Sequence, residues 1–309
     1  MKLFITGGAG FIGSHLVRLL IAEHHDVTVV DNLSTGSLSY LPESGFSFFH
    51  MDVRDVKVRK IITEGQYDGI VHLAGQTMVG SSIENPVFDA QENIIGSLNI
   101  LEAAKQIRAR VVFASTAAAY GDVGIEDLPV TEQHGIAPMS FYGLTKTIVE
   151  KYLRLYHMLF SLDYVALRFA NVYGERQGDR GEGGVISIFA KQIALNRPIT
   201  IFGDGTQTRD FIYAGDIASG ILAALTTKQS NTEYNLSTGT ETSLNTLVDL
   251  FGTIAGKDVR PVFADKKPGD IYRSALDNRN AAEGLGWKPE VSLTEGLTRT
   301  YEYFCRKSQ

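Results

Sequence analysis

The sequence predicts an α/β fold in which helices cover both faces of a parallel sheet. Short apolar segments alternate with helical patterns through the first half of the chain, as in a doubly wound sheet. A glycine-rich turn joins the first strand to the first helix. The alternation ends near Asn171, and the irregular spacing that follows predicts a smaller, mixed α/β C-terminal lobe. The 309 residues are enough for both units.

The individual elements follow from hydrophobic period and flanking residues. Strands are expected at residues 1–6, 26–31, 46–51, 70–73, 110–116 and 163–169, and helices from residue 11 and at 53–62, 85–109 and 141–160. The second half should hold a glycine- and charge-rich loop at 174–184 that forms a mobile lid, helices at 185–195 and 244–255, and a strand at 199–202. The last helix should begin with the capping box Ser292-x-x-Glu295. We expect one domain from residues 1–170 with about 211–237, and a second from 171–210 with 238–309.

The turn after the first strand has the spacing of a dinucleotide-binding loop. Gly7, Gly10 and Gly13 follow an apolar strand, and the helix that they open contains Phe11 and Ile12. Glycine lets backbone N–H groups approach a pyrophosphate, and the helix N-terminus favours that anion. The first domain is therefore predicted to be of the Rossmann type.

Two acids after the glycine turn are candidates for cofactor contacts. Asp31 ends the second strand, 18 residues after Gly13. Its carboxylate should accept the ribose 2′-hydroxyl and repel a 2′-phosphate, so the predicted cofactor is NAD and not NADP. Asp52 follows the third strand and has two interpretations that remain open: a contact to the adenine edge, or a cap for the next helix.

A tyrosine and a lysine are placed to move protons beside that cofactor. Tyr142 and Lys146 lie one helical turn apart, and Thr116 ends an earlier apolar strand. A nearby ammonium and the positive nicotinamide ring favour phenolate, so we expect the pKa of Tyr142 to fall toward neutrality. Such a base could take a proton from a sugar hydroxyl as hydride leaves the same carbon. Tyrosine and lysine also occur at this spacing by chance, so the interpretation depends on the cofactor motif and Thr116.

Charge and cysteine content argue against several classes of protein. The formal net charge is −6 without a basic stripe, so nucleic acid is not an expected partner. No apolar run reaches the roughly 20 residues that cross a bilayer, and no signal-peptide pattern precedes the first strand, so we expect no membrane association. Cys305 is the only cysteine, which excludes a disulfide framework and a cysteine metal site, and we expect no metal. A reducing cytoplasm is the predicted location.

Taken together, the motifs resemble those of the extended short-chain dehydrogenase/reductases, and within them the UDP-glucose 4-epimerases. The resemblance covers nearly the whole chain. It is carried by TGGAGFIGS, DNLSTG, HLAGQ, the segment from Thr116 to Gly121, YGLTK, RFANVYG, IFGDGTQTRDFIY, KPGDIYRS and LGW. It implies NAD contacts from further residues of these motifs and their neighbours: Asn32, Ser34, Gly36, Val53, Leu73, Ala74 and Gly75. Lys146 would hydrogen-bond the nicotinamide ribose, and Thr116 would join the proton network of the substrate hydroxyl.

The same resemblance implies where a nucleotide sugar would bind. Asn171 matches a nucleotide-sugar contact, Arg209 an arginine that grips the diphosphate, and Asp270 a contact near the uridine ribose. A guanidinium suits this task because it binds phosphate oxygens in pairs. A surface ion pair of Arg209 with Asp210 or Asp204 is the alternative. Lys267 stands where some epimerases carry a second diphosphate arginine, which suggests weaker or differently shared phosphate binding.

The residues after Thr116 select among reactions of the family. The resembling 4,6-dehydratases carry Asp-Glu there, the UDP-glucuronate decarboxylases a Glu at the second position, and the 3,5-epimerising reductases a cysteine. Here the positions are Ala117 and Ala118, whose methyl groups move no protons. The expected function is therefore a UDP-hexose 4-epimerase that interconverts UDP-glucose and UDP-galactose through a 4-keto intermediate.

Three further expectations concern substrate size, assembly and alternatives. Ser274 stands where a tyrosine restricts some epimerases, so UDP-GlcNAc and UDP-GalNAc are alternative substrates; Ser274 could also merely end a loop. The family implies a homodimer through a four-helix bundle of helices near 93–109 and 141–160, although their apolar positions could face the sheet instead. Another NAD-dependent nucleotide-sugar dehydratase or reductase, or a non-catalytic NAD sensor, remains a possible function.

Overall fold

A seven-stranded sheet forms the centre of the protein in a computed structural model that describes residues 1–178, 183–266 and 271–307. Its strands are β1 (Lys2–Thr6), β2 (Asp26–Asp31), β3 (Phe46–His50), β4 (Gly69–His72), β5 (Arg110–Thr116), β6 (Tyr164–Phe169) and, later in the chain, β11 (Thr232–Leu236). The order is β11-β6-β5-β4-β1-β2-β3, and all neighbours are parallel. The predicted Rossmann-type α/β fold is confirmed.

Two hydrophobic cores cover the two faces of this sheet. On one face, α1 (Phe11–Ala22) packs against α8 (Ala214–Thr226), and their core includes Leu16, Leu20 and Ile221. On the other face lie α2 (Lys57–Gly65), α5 (Gly96–Ile107) and α6 (Phe141–Phe160). The chain runs from β1 to β2 in one direction and later continues from β4 toward β5 in the other. This reversal leaves a crevice at the carboxyl ends of β1 and β4, where ligands bind in such folds.

The second lobe is built from short ladders around a separate core. Its strands are β7 (Asn171–Tyr173), β8 (Thr200–Phe202), β9 (Thr208–Arg209), β10 (Phe211–Tyr213), β12 (Thr242–Ser243) and β13 (Val262–Ala264). Its helices are α7 (Val185–Ala194), α9 (Leu244–Ala255) and α11 (Leu293–Lys307), while α10 (Arg279–Leu285) contacts α8 and β11. Phe189, Leu247 and Phe304 belong to this third core. The mixed α/β character that the sequence predicts is observed.

Several predicted boundaries differ from the structure. The single helix expected at 85–109 is three consecutive segments: α4 (Pro86–Ala90), a π-helical turn (Gln91–Ile95) and α5. A short helix, α3 (Val79–Glu84), precedes them and was not predicted. The helix expected at 53–62 starts only at Lys57. In the segment 211–237, β11 joins the main sheet and α8 packs on α1, but β10 pairs with β7 outside it.

Two smaller predictions are answered only in part. The amide of Glu295 donates to Ser292 Oγ over 3.3 Å, which is one half of a capping box. Residues 179–182 of the expected lid loop lie outside the described residues. Within the described ranges, no helix combines the length and apolar character that a bilayer-spanning segment needs.

Candidate active site

A deep cleft opens at the carboxyl ends of the central strands and has a volume of about 410 Å³. Most of the residues predicted to bind the cofactor line it: Gly7, Gly10, Phe11, Ile12, Gly13, Asp31, Asn32, Ser34, Val53, Leu73, Ala74, Gly75, Tyr142 and Lys146. The size falls in the range of small-molecule sites, roughly 300–1,000 Å³. One cleft therefore collects residues from both the cofactor motif and the proposed catalytic helix.

The glycine turn at the base of the cleft can hold a pyrophosphate. Gly7 has φ = +69°, and a Cβ on it would lie 2.8 Å from the Ala74 amide nitrogen. A Cβ on Gly13 would lie 2.1 Å from the Gly7 carbonyl oxygen, so neither position accepts a side chain. The helix that follows has Gly10 as its N-cap and no capping side chain, which leaves its first N–H groups available to an anion. These features fit a dinucleotide.

Asp31 lies on the wall beside this turn and is 7% exposed. Its carboxylate accepts hydrogen bonds from the amides of Ala9, at 2.9 Å, and Leu33, at 2.8 Å. Burial raises the pKa of Asp31, and these two hydrogen bonds oppose that rise. The carboxylate is therefore fixed in direction and faces the cleft. Gly36, also predicted to bind the cofactor, does not line the cleft but packs behind it, where a Cβ would meet the Ala9 carbonyl oxygen at 2.7 Å.

Asp52 is the centre of an ion-pair group next to the cleft. Arg54 bonds both of its carboxylate oxygens, at 2.8 and 2.7 Å, and also lies 2.8 Å from Glu92, which lines the cleft. The Arg54 hydrogen bond lowers the pKa of Asp52 to about 2. Because α2 has Val56 as its N-cap, the expected role of Asp52 as a helix cap is wrong. The adenine-edge interpretation remains a prediction.

On the wall opposite the glycine turn, Gly75 lies so close to Asn93 that a side chain would not fit. A Cβ there would lie 2.6 Å from Asn93 Oδ1, an atom that is buried without a hydrogen-bond partner. Asn93 stands in the π-helical turn, a rare distortion that is frequent at functional sites. An unsatisfied buried acceptor beside the cleft is suited to a ligand hydroxyl or amide.

Tyr142, Lys146 and Thr116 meet on the floor of the cleft. Tyr142 is half-buried near the start of α6, Lys146 is 3% exposed one turn later, and Thr116 ends β5. The Thr116 side chain lies beside the Tyr142 phenol and lowers its pKa, and Thr116 Oγ1 accepts from the Ala118 amide at 3.1 Å. The Lys146 ammonium donates to the Ala114 carbonyl at 3.0 Å. The structure thus brings together the three residues predicted for catalysis.

Burial, and not the Lys146 ammonium, has the largest effect on the pKa of Tyr142. It raises the pKa of Tyr142, and only the Thr116 hydrogen bond acts in the opposite direction. The same burial lowers the pKa of Lys146 to about 8. The protein residues alone therefore shift the tyrosine away from neutrality, contrary to the expectation from the sequence. A fall toward neutrality requires a further positive charge.

Three residues predicted to bind substrate, Asn171, Arg209 and Ser274, belong to the second lobe and its junction with the first. Arg209 is part of β9, where its guanidinium donates to the carbonyls of Thr208, at 2.8 Å, and Tyr272, at 3.5 Å. The Thr208 amide donates to the Tyr272 carbonyl and the Leu276 amide to the Asp210 carboxylate, so the segment that contains Arg209 lies beside the one that contains Ser274. Asn171 is exposed at the start of β7. Asp270 and Lys267 lie outside the described residues.

Asp210 and Asp204, the two acids considered as alternative partners of Arg209, accept hydrogen bonds from other groups. Asp210 is 1% exposed and accepts from the Thr238 hydroxyl and from three backbone amides. Asp204 accepts from Thr206.

Sequence reasoning missed part of the cleft. Residues that line it or support it without having been predicted are Thr35, Met51, Gln76, Thr77, Ser81, Phe88, Asp89, Glu92, Asn93, Ala114, Ser115, Thr145 and Phe169. One signal was available: Asp89, Asn93 and Ser97 recur every four residues, so they share one face of the predicted helix, and all three are buried.

The sequence also matches a known family through the whole region that builds this cleft. Residues 3–237 match the model of the NAD dependent epimerase/dehydratase family. This match covers well over half of the chain. The protein belongs to the NAD dependent epimerase/dehydratase family. The predicted relation to the extended short-chain dehydrogenase/reductases is confirmed, and NAD is the cofactor of the family.

Several of the most similar relatives are 4-epimerases of UDP-sugars. The chain is 43% identical over 303 residues to a putative UDP-glucose 4-epimerase of Methanocaldococcus jannaschii, covering 97% of each. It matches the crystal structure of UDP-glucose 4-epimerase with UDP-glucose from Thermotoga maritima with a TM-score of 0.96 and 39% identity, over 100% of both chains. A UDP-N-acetylglucosamine 4-epimerase from Methanobrevibacter ruminantium, in complex with UDP-N-acetylmuramic acid, matches with a TM-score of 0.94 and 32% identity, over 99% of this chain and 98% of that one.

Proposed function

We propose that this family member is a UDP-hexose 4-epimerase that interconverts UDP-glucose and UDP-galactose. One observation carries the proposal: Tyr142 and Lys146 line the same cleft as the dinucleotide turn, with Thr116 beside the Tyr142 phenol. When bound, NAD supplies hydride chemistry, because it accepts a hydride from a carbon and returns it.

The residues of this chain divide the remaining work. Tyr142, which lies next to Thr116, would take the proton of the C4 hydroxyl as the hydride leaves C4. Lys146, buried one turn away, would donate to the cofactor ribose, and the positive nicotinamide ring would favour the phenolate. Arg209 holds the diphosphate while the 4-keto sugar turns about its phosphate linkage. Tyr142 then returns the proton when hydride is delivered to the opposite face, which inverts C4.

The chain lacks the groups that the other reactions of this scaffold need. Ala117 and Ala118 occupy the short helical turn directly after Thr116, next to the first turn of α6. Neither side chain can act as an acid or base at C5 or C6. The residues at this point support oxidation and reduction at C4 and no further proton transfer.

Product analysis without added cofactor tests the proposal. Purified protein is incubated with UDP-galactose, and the products are separated and identified. We expect UDP-glucose to form, because the cofactor is regenerated in each cycle and stays bound. If neither UDP-galactose nor UDP-GalNAc yields a C4 epimer while NAD is bound, the proposal is rejected in favour of an NAD-binding protein without this activity.

Acetylated sugars are a second set of candidate substrates. Ser274 is only partly buried and stands beside the Arg209 segment, so a small side chain faces the region where the substrate is expected. The similarity to a UDP-N-acetylglucosamine 4-epimerase supports the same possibility. Incubation with UDP-GalNAc should yield UDP-GlcNAc, and unreactive acetylated sugars would exclude dual specificity.

We further propose a homodimer that forms through α6. Its sheet-facing side is buried at Val149 and Leu153, whereas Leu155, Met158 and Leu159 are 48%, 68% and 69% exposed. The helix therefore has apolar residues on both sides, which is typical of an interface. The exposed positions near α3 to α5 continue this surface at Ile83, Val87 and Ile95.

Sedimentation of a paired set of variants tests the dimer. Met158→Lys with Leu159→Lys should convert the parent dimer to a monomer without loss of secondary structure. Val262→Lys, an exposed apolar position of β13 in the second lobe, should remain dimeric. A monomeric parent protein would contradict the proposal.

A further inference from the structure

A buried acid next to the proposed catalytic pair plays no part in the reaction described above. Asp89, in α4, accepts hydrogen bonds from Thr145 Oγ1 at 2.8 Å, from Gln76 Nε2 at 2.7 Å and from Asn93 Nδ2 at 3.2 Å. Asn93 also donates to Thr145 Oγ1 at 3.1 Å and to the Gln76 carbonyl at 3.1 Å. These four residues, the Asp89 cluster, connect the loop after β4, the π-helical turn and α6.

The environment of Asp89 differs from that of the other buried acids nearby. Asp89 has no exposed surface, and each of its three donors is neutral. Glu92 and Glu150, in contrast, are paired with guanidinium groups at 2.8 and 2.7 Å. No ion pair within 4.0 Å of Asp89 is found in the described parts of the chain. A buried carboxylate without a direct counter-ion is costly, so its retention suggests that the charge acts over a longer range.

Two groups experience that charge, and both belong to the proposed catalytic helix. Asp89 raises the pKa of Lys146 against the effect of burial, and it raises the pKa of Tyr142 together with burial. His72 faces Lys146 from β4, but its pKa is lowered to about 3, so it is neutral in the working range. The Arg168–Glu150 pair carries no net charge, and neither Asp52 nor Glu92, which share Arg54, contributes to the pKa of Tyr142 or Lys146. Asp89 is thus the anion that acts on Tyr142 and Lys146.

We propose that Asp89 is a positioning residue of the proposed epimerase reaction: its buried carboxylate, bonded to Thr145 of the catalytic helix, is the counter-charge of the Tyr142–Lys146 pair. The inference rests on the proposed function. Its carboxylate also fixes Gln76 and Asn93, which flank the cleft at Gly75. Asp89 therefore both orients residues that flank the cofactor cleft and places a negative charge beside the catalytic helix.

Asp89→Asn is the most direct test, because it removes the charge and preserves the shape. The amide oxygen can still accept from Gln76 and Asn93. The amide nitrogen can donate to Thr145 Oγ1, whose own proton can turn to the Tyr142 carbonyl at 3.1 Å. Loss of the anion favours phenolate and disfavours ammonium. Both the ionisation midpoint of Tyr142 and the alkaline limb of the kcat profile near pH 8 should therefore move down, by roughly one pH unit.

The Tyr142 midpoint is measured on NAD-loaded protein from the near-ultraviolet absorbance of tyrosinate. Subtraction of the same titration for a Tyr142→Phe partner variant isolates this one phenol. The measurement needs no turnover, so it decides on Asp89 even if the proposed substrate is wrong. Glu92→Gln is the matched control: it removes a buried acid one turn away that is already paired with Arg54, and it should leave the Tyr142 midpoint unchanged.

Unchanged midpoints in Asp89→Asn would overturn the proposal and reduce Asp89 to a structural hydrogen-bond acceptor. If Asp89→Asn does not fold, Asp89→Ser replaces it, since serine keeps an acceptor and leaves space for water. Asp89→Glu should restore the parent midpoints at least in part. A failure of the carboxylate to do so, with the fold intact, would also count against a role for the charge.

Discussion

The two sides of the cleft are built in different ways. The cofactor side consists of long buried elements: α6 has 20 residues, and Lys146 and Thr116 are less than 10% exposed and have fixed hydrogen-bond partners. The substrate side consists of strands with two or three residues and of half-buried side chains such as Arg209 and Ser274. We infer that the reaction is set by a rigid half of the molecule, whereas substrate choice depends on an adjustable one.

The two sides differ because proton transfer takes place on one of them and substrate recognition on the other. Proton transfer depends on pKa values, and large shifts arise only in buried and closely packed surroundings. Recognition of a diphosphate or a sugar substituent depends on the length and shape of side chains. Exposed segments can supply such side chains and tolerate changes in them. Substitutions on the cofactor side should therefore alter kcat, and those on the substrate side should alter KM or selectivity.

Tyr142→Phe is the most severe expected change on the cofactor side. Loss of the phenolic proton acceptor should lower kcat by roughly 10²- to 10⁴-fold, the range for a general base. Turnover of UDP-galactose is measured alongside the NAD content of the purified protein, which should equal that of the parent. Retention of more than about a tenth of the parent kcat would show that Tyr142 is not the base.

Arg209→Lys should have an intermediate effect that is confined to substrate binding. Lysine keeps the charge but cannot bind two phosphate oxygens in parallel, so KM for UDP-galactose should rise roughly tenfold to a hundredfold with kcat little changed. Arg273→Lys is the control, because Arg273 is held in an ion pair with Glu241. Equal KM values for Arg209→Lys and the parent would remove Arg209 from the diphosphate site.

Ser274→Tyr should change selectivity and little else. A ring at this position would occupy the space that an acetamido group needs, so activity on UDP-GalNAc should be lost while activity on UDP-galactose stays within a few-fold of the parent. Ser274→Ala separates the size of the side chain from its hydroxyl and should keep both activities. Equal loss of both substrates in Ser274→Tyr would indicate a general disruption of the lobe.

The smallest expected effect is a pH-dependent change in the free energy of unfolding that His72, on the cofactor side, causes. His72 is 1% exposed between the Thr6 and Ser97 hydroxyls, and burial lowers its pKa from 6.5 to about 3. Its stabilising contribution is therefore complete above pH 6.5 and is lost progressively as the pH falls toward 3, because the unfolded chain binds the proton first. Between pH 7.5 and 5.5 the loss of stability is on the order of 1 kcal/mol.

Urea unfolding of the parent and of His72→Gln at the two pH values isolates that contribution. The parent should lose roughly 1 kcal/mol more than the variant on acidification. An equal loss in both proteins would show that His72 takes up no proton on unfolding.

The sequence predicted the fold class and most of the cleft, because the signals involved are local. The alternation of strands and helices gave six of the seven strands of the main sheet directly, and Thr232–Leu236 supplied the seventh within the segment that was expected to return to it. Boundaries failed where the backbone departs from a regular period. The π-helical turn interrupts the predicted helix at 85–109, and the turn that Asp52 and Arg54 stabilise delays the start of α2 to Lys57.

By itself, the sequence determined the features that depend on a few neighbouring residues: a glycine turn that admits no Cβ, an acid at the end of the second strand, and a phenol one helical turn before an amine. The protonation states of those groups are decided only by the tertiary structure. Asp89 reaches Thr145 across 56 residues of chain, and burial of the Tyr142–Lys146 pair sets both pKa shifts. Proton affinity depends on the total environment of a group, and that environment exists only after distant segments have packed together.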